Sequence, residues 1–106
     1  MEVKMENKCT KDIFQNSVKF FEMLKDDQRQ EILINLANHN ELNVSDLVKL
    51  SNLSTSAISH HLQLLYKSGL VTYRKEGTKK YYSIIVTDVI KYLEELLEHL
   101  KELNIK

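Results

Sequence analysis

Proline is absent from this chain of 106 residues, and its two glycines lie close together, at positions 69 and 77. Because these two residue types most often interrupt helices and form tight turns, long helices can continue over most of the sequence. Hydrophobic residues make up 42% of the chain, which is enough for one compact core at this length. We therefore expect one mainly helical domain rather than two independent ones.

Apolar residues repeat at spacings of three and four, which predicts helices over residues 10–25, 27–38, 43–52, 54–68 and 87–104. At the start of each segment, or directly before it, stands a residue whose side chain can cap the first free backbone N–H groups: Thr10, Asp26, Asn43, Ser54 and Thr87. Between the last two helices, β-branched and aromatic residues fill segments 70–75 and 80–85, and Glu76-Gly77-Thr78 predicts a hairpin turn. The predicted fold class is mainly α with a small β-hairpin wing, a winged helix-turn-helix.

Charge is unevenly distributed, although 15 basic residues balance 15 acidic residues over the whole chain. Residues 43–82 carry a net charge of +4, so the remainder carries −4. A basic middle between acidic ends suggests that the middle contacts a polyanion.

The helix over residues 54–68 has a face suited to the major groove of DNA. If Ile58, Leu62 and Leu65 are buried, the opposite face presents small or polar side chains: Thr55, Ser56, Ser59, His60 and Gln63. Serines near a cap also serve simply to solvate a helix end. However, residues 53–66 contain no Asp, Glu, Lys or Arg, whereas a helix facing only solvent usually carries Glu and Lys. This absence favours a surface that reads bases.

Basic residues flank the predicted hairpin turn and, with Glu76, give residues 74–80 a net charge of +3: Arg74, Lys75, Lys79 and Lys80. We expect these side chains to lie along a phosphate backbone. The alternative is that the lysines protect an exposed strand edge from aggregation.

The last helix carries a longer apolar stripe than a chain of this size needs for its own core: Val89, Leu93, Leu96, Leu100 and Leu103. We expect it to pack in a homodimer against the same helix, or against Phe14 and Val18 of the first helix, in a second subunit. Two subunits would place two reading helices about one DNA turn apart, on a roughly palindromic operator.

Metal and catalytic chemistry find little support. His60 and His61 are about 100° apart around a helix and do not converge on one ion, so we expect His60 to contact DNA and His61 to be partly buried. His99 with Glu95 or Glu102 is an alternative divalent site, weighed against ordinary side-chain pairing. Cys9 is the single cysteine, so it forms no internal disulfide or thiolate cluster, and its redox activity stays open. We expect no metal, no cofactor and no enzyme activity.

Residues 1–30 lack the apolar run of a signal peptide, and no stretch approaches the ~18 uncharged apolar residues of a membrane span. With a single cysteine, these features predict a cytoplasmic protein without a membrane partner.

The segments LSTSAISHHLQLL at 53–65 and SGLV at 68–71 closely resemble the ArsR/SmtB family of dimeric bacterial repressors. The resemblance extends through FEML at 21–24 to RKEG at 74–77 and YYS at 81–83, and covers residues 10–104. It implies a homodimeric transcriptional regulator, a repressor that binds a double-stranded DNA operator and excludes polymerase sterically. A protein-interaction module on the same scaffold is the alternative from another class.

The family's signal-sensing residues are not matched. Asn43 and Ser45 stand where metal-sensing members resembling this chain have cysteines, and a second set of metal-ligand positions reads Asp88, Ile90, Lys101 and Asn104. Persulfide-sensing members need two cysteines. The resemblance therefore implies an inducing signal that uses neither site, and leaves that inducer unknown.

Overall fold

The computed structural model describes the backbone of residues 2–104 and the side chains of residues 11–103. Within that part of the chain the elements follow in the order α1 (Glu2–Leu24), α2 (Asp27–His39), α3 (Val44–Leu50), α4 (Thr55–Lys67), β1 (Val71–Glu76), β2 (Lys79–Ile84) and α5 (Thr87–Asn104). The predicted fold class, mainly α with a small β-hairpin wing, is confirmed. None of the helices in the described range is long and apolar enough to cross a membrane.

Three of the predicted helix starts are confirmed by their caps. The carboxylate of Asp26 accepts the N–H groups of Gln28 and Arg29, and Ser54 Oγ accepts that of Ala57 at 3.1 Å. Asn43 and Asp46 form a reciprocal capping box at the start of α3, in which each side chain accepts the other residue's N–H.

Two predicted starts are wrong. Thr10 lies inside α1, which begins at Glu2, because the polar residues before the first apolar repeat also favour a helix. Thr87 is the first residue of α5 rather than its cap, and the carbonyl of Val86 accepts the first helical hydrogen bond, from the N–H of Ile90 at 2.9 Å.

The core lies where α2, α3 and α4 meet the base of the hairpin. Its fully buried side chains come from these elements: Ile32, Leu36, Leu47, Ile58, Leu62, Leu65 and Val71. Arg29 and Gln30 of α2 donate to the last carbonyls of α1, at 2.6 to 3.1 Å, and so hold α1 against this core. Helix α1 also packs against α5, and the two form one flank of the subunit.

The hairpin closes through a two-residue turn at Gly77 and Thr78, where Gly77 has a φ of +66°. Such turns favour residues with positive φ, and glycine adopts it without strain. On its other edge β2 pairs with Leu42: the N–H of Leu42 donates to the Tyr82 carbonyl at 3.0 Å, and the N–H of Tyr82 donates to the Leu42 carbonyl at 2.8 Å. Strand β2 therefore lies between β1 and the loop that leads into α3.

Candidate nucleic-acid interface

Helix α4 has one buried and one exposed face, as predicted. Ile58, Leu62 and Leu65 are completely buried. All five side chains predicted for the opposite face are exposed: Thr55, Ser56, Ser59, His60 and Gln63. The core residues thus fix the helix so that a row of uncharged hydrogen-bonding groups faces outward.

His61, next to the exposed His60, is buried and only 7% accessible. Its Nε2 lies 2.8 Å from Oε1 of Gln28 on α2, so the neighbouring helix supplies one hydrogen-bond partner. Because an amide oxygen only accepts, Nε2 carries the proton, and Nδ1 is a buried acceptor without a hydrogen-bond partner. Burial lowers the pKa of His61 from its ordinary value, while the nearby charge of Asp26 opposes that shift.

An open groove of about 510 Å³ separates the exposed face of α4 from the hairpin. Ser59 and Gln63 line its helical side, and Tyr73, Lys80 and Tyr82 line the hairpin side. Two of the residues predicted to read DNA and one predicted to bind phosphate therefore share one concave surface.

Three tyrosines join the helix to the hairpin along this groove. The ring centroids of Tyr66 and Tyr73 are 5.2 Å apart, and those of Tyr73 and Tyr82 are 5.3 Å apart. Lys80 Nζ lies 4.6 Å from the centroid of Tyr73, a cation–π distance. Tyr66 was not among the residues predicted to face DNA, although it follows Ser59 and Gln63 at helical spacing and is exposed on the same face.

Lysines of the hairpin continue the groove toward the turn. Lys75 pairs directly with Lys80 across the strands, in step with the pair Tyr73 and Tyr82. Residues two apart on a strand share a face, so both lysines lie on the side that meets α4. Like charges directly opposite each other repel, and an anion between them removes that repulsion. Lys79 is also exposed, and it pairs with Glu76 in the strand register.

Arg74, the fourth predicted phosphate contact, is already paired. Its Nε and Nη2 donate to the two carboxylate oxygens of Glu41 at 2.8 and 3.0 Å, and its Nη1 donates to Glu76 at 2.7 Å. The hydrogen bond from Arg74 lowers the pKa of Glu41, and both carboxylates raise the pKa of the guanidinium. Glu41 had no signal in the sequence, because it lies 33 residues from its partner.

The proposed dimer face is largely exposed in the subunit. Phe14 and Val18 of α1 are exposed, as are Leu93, Leu100 and Leu103 of α5. Two members of the predicted stripe are less accessible: Leu96 is half-buried, and Val89 packs against the subunit's own core.

Asn43 and Ser45 stand where the family resemblance calls for two cysteines. The side chain of Asn43 is occupied by its capping box, and Ser45 is exposed and has no thiolate. Among the described side chains no group of three potential metal ligands comes together. The hydrogen-bond partner of His99 Nδ1 is the backbone oxygen of Glu95, at 3.2 Å, and not a carboxylate group. The side chains of Cys9 and Asn104 lie outside the part of the chain whose side chains are described.

Comparison with known proteins agrees with this geometry. Residues 26–73 match the family described as bacterial regulatory protein, arsR family. A cadmium resistance transcriptional regulatory protein CadC homolog of Staphylococcus aureus is 36% identical over 100 residues, which cover 91% of this chain and 83% of that protein. The transcriptional activator HlyU of Vibrio cholerae is 41% identical over 88 residues, 80% of each chain.

Solved structures give the same result. The transcriptional regulator HlyU from Vibrio vulnificus superposes with a TM-score of 0.63 at 37% identity, covering 94% of this chain and 98% of that one. An ArsR-like transcriptional regulator from Rhodococcus reaches a TM-score of 0.75 at 27% identity, covering 86% and 83%.

The fold and the groove are thus those of a winged-helix regulator. The chain belongs to the ArsR family of bacterial regulatory proteins and is a DNA-binding transcriptional regulator.

Proposed function

We propose that this protein is a homodimeric repressor of a nearby operon, and that it binds a roughly palindromic operator. Helix α4 enters the major groove and contacts base edges through Ser56, Ser59, His60 and Gln63. Thr55, at the start of the helix, lies near the DNA backbone. The hairpin lies along the adjacent phosphates. The relatives named above include a regulator of cadmium resistance and an activator, so repression belongs to the proposal rather than to the family as a whole.

One observation carries the DNA-binding part of this proposal: exposed polar side chains of α4 and Lys80 of the hairpin line one groove. Direct readout needs hydrogen-bonding groups at the base edges, while contacts to the phosphates on either side fix the register. The groove offers Ser59 and Gln63 for the first task and Lys80 for the second. Lys75, opposite Lys80, adds a second cation on the same face.

The dimer is supported by exposed apolar side chains on both α1 and α5. Leu100 and Leu103 are 47% and 61% exposed, and Val18 on the adjacent helix is 54% exposed. A patch of this kind on two packed helices is typical of a protein interface. A two-fold axis along this flank would bring two copies of α4 to the same side of a DNA duplex.

The inducing signal in this proposal does not use the family's thiolate or imidazole sites. Asn43 and Ser45 cannot replace thiolates, and Ile90 and Lys101 cannot replace carboxylate or imidazole ligands. We therefore expect zinc, cadmium and arsenite to leave the DNA affinity unchanged. A stoichiometric, metal-dependent loss of affinity that disappears in His99→Ala would instead establish a site at His99.

Selection of bound fragments from random duplex DNA tests the function directly. We expect a recovered sequence with two half-sites about one helical turn apart, and an affinity that falls steeply with salt. If the protein enriches no sequence and shows no salt-dependent DNA binding, it is a protein-interaction module on a winged-helix scaffold.

A further inference from the structure

The guanidinium of Arg74 connects three extended segments of the chain. Arg74 is on β1, and its side chain passes over the ring of Tyr81 on β2, with Cζ 4.9 Å from the ring centroid. The side chain ends at Glu41, and the next residue, Leu42, pairs with the edge of β2 that does not face β1. The Arg74 side chain thus crosses β2, the strand in the middle, and is bound by Glu41 on the other side of that strand.

The bonding of Arg74 leaves little for a phosphate to bind. Both oxygens of Glu41 accept from Nε and Nη2 in the planar, two-bonded arrangement that arginine favours, and Glu76 takes Nη1. One N–H on Nη1 and one on Nη2 have no partner in these bonds, but the positive charge of the guanidinium is already balanced by two carboxylates. Lys75 and Lys80 on the groove face have no salt bridge among the described residues.

The position of Glu41 gives this ion pair its importance. Glu41 is two residues before Asn43, whose side chain caps α3, the first helix of the helix-turn-helix. The two hydrogen bonds between Leu42 and Tyr82 lie beside it. The Arg74–Glu41 pair therefore joins the hairpin to the segment that leads into the helix pair.

We propose that Arg74 is a positioning residue: through Glu41 and Glu76 it holds the hairpin at the angle that brings its lysines to the DNA backbone, and it is not itself a phosphate contact. This inference rests on the proposed function, because the orientation matters only if the hairpin contacts DNA. It replaces the sequence-based expectation for Arg74 with a different role.

Three variants separate positioning from phosphate binding. Arg74→Lys keeps the positive charge but cannot form the two-bonded contact, and Glu41→Gln keeps the arginine while removing its partner charge. Arg74→Ala removes both charge and contact. Lys75→Ala, a hairpin lysine outside the ion pair, is the control for a phosphate contact. Affinity is measured over a series of salt concentrations on a mixed-sequence duplex of about 30 base pairs. This length is enough for both reading helices of a dimer to contact the DNA.

We expect Arg74→Lys, Arg74→Ala and Glu41→Gln each to weaken binding by about three- to tenfold, with the double variant Glu41→Gln/Arg74→Ala no weaker than Arg74→Ala alone. A second measurement does not involve DNA. Amide hydrogen exchange at Leu42 and Tyr82 should become about tenfold faster in Glu41→Gln, because the adjacent strand pairing opens more often.

Binding that tightens in Glu41→Gln, or that stays at the wild-type level in Arg74→Lys, would show that Arg74 acts as a free cation and would overturn the proposal. Unchanged exchange at Leu42 and Tyr82 would also overturn it. If wild type and Lys75→Ala both fail to bind the duplex, the proposed function itself is wrong. If Lys75→Ala lowers the slope of log affinity against log salt and the Arg74 and Glu41 variants bind like wild type, the function stands and the role proposed for Arg74 is wrong.

Discussion

His61 is the titratable side chain that ties α4 to α2. It is buried, and it donates through Nε2 to Gln28 while Nδ1 is enclosed without a partner. Protonation of Nδ1 would place a second donor and a positive charge in that enclosed position. Asp26 partly compensates for such a charge, whereas Arg29 and His60 oppose it. The folded protein therefore prefers neutral His61.

This preference predicts how stability depends on pH. The unfolded chain takes up a proton at His61 near pH 6.5, and the folded chain does so only at lower pH, because burial lowers the pKa. As the pH falls below about 6.5, the free energy of unfolding should decrease, by at most about 1.4 kcal/mol per pH unit from this residue. Urea unfolding between about pH 7 and pH 5 measures it.

His61→Leu should lose this part of the pH dependence, and the control His60→Ala, which changes the exposed neighbour, should retain it. Identical pH profiles for wild type and His61→Leu would assign the effect to other groups.

Some residue roles were predictable from the sequence and others were not. The caps Asp26, Asn43 and Ser54 act on residues two or three positions away, so their spacing is visible in the sequence. Gln28 lies 33 residues from His61 and Glu41 lies 33 residues from Arg74, and only the folded chain brings these partners together. Periodicity assigns a side chain to a face, but it does not identify the partner across an interface.

At the scale of elements, the hairpin is the part whose role depends most on electrostatics. Lys75 and Lys80 face each other on the side toward α4. Their mutual repulsion is offset when both contact phosphates, and each contact releases counterions from DNA.

Replacing both Lys75 and Lys80 by Ala should therefore reduce the slope of log affinity against log salt by about two units. Lys91→Ala, which removes an exposed charge from α5, is the matched control and should leave the slope unchanged. Fluorescence anisotropy over a salt series measures both. A double variant with the wild-type slope would remove the hairpin from the interface.

The ends of the elements were harder to predict than their number and order. Helix α1 starts well before Thr10. The sequence did not predict this early start, because the apolar repeat begins only at Ile13 and the preceding polar residues carry no periodic signal. The hairpin strands and the turn were predictable because β-branched and aromatic residues flank a glycine. The pairing of Leu42 with β2 was not, since one bridging residue leaves no pattern.

At the scale of the whole molecule, the chain has an exposed apolar flank, formed by α1 and α5. Its core is filled by α2, α3, α4 and β1, while large apolar side chains on the flank face outward. Burial in a second copy would stabilise the dimer by about 25 cal/mol for each Å² of apolar surface removed from water.

If this flank is the interface of the proposed dimer, Leu100→Glu should give a monomer, because it places a charge in that surface without disturbing the core of the chain. Leu100 is exposed in the subunit, so the monomer should remain folded. Ile34→Glu, at an apolar residue on α2 that is even more exposed than Leu100, is the control and should remain dimeric. Sedimentation velocity measures the size of each, and circular dichroism verifies that each is folded. A dimeric Leu100→Glu variant would place the interface elsewhere.

The central claim is that the exposed face of α4 reads sequence while the hairpin supplies affinity for any DNA. The most direct test is the ratio of affinities for the selected operator and for random duplex, measured in Gln63→Ala and in Lys79→Ala. A bidentate contact to a base edge contributes about 1 to 3 kcal/mol of discrimination, so Gln63→Ala should lower the ratio by about tenfold or more. Lys79→Ala should weaken both affinities alike and leave the ratio unchanged. If Ser59→Ala, His60→Ala and Gln63→Ala all preserve the ratio, the sequence is read by other residues or through DNA shape, and the assignment of α4 as the reading helix is contradicted.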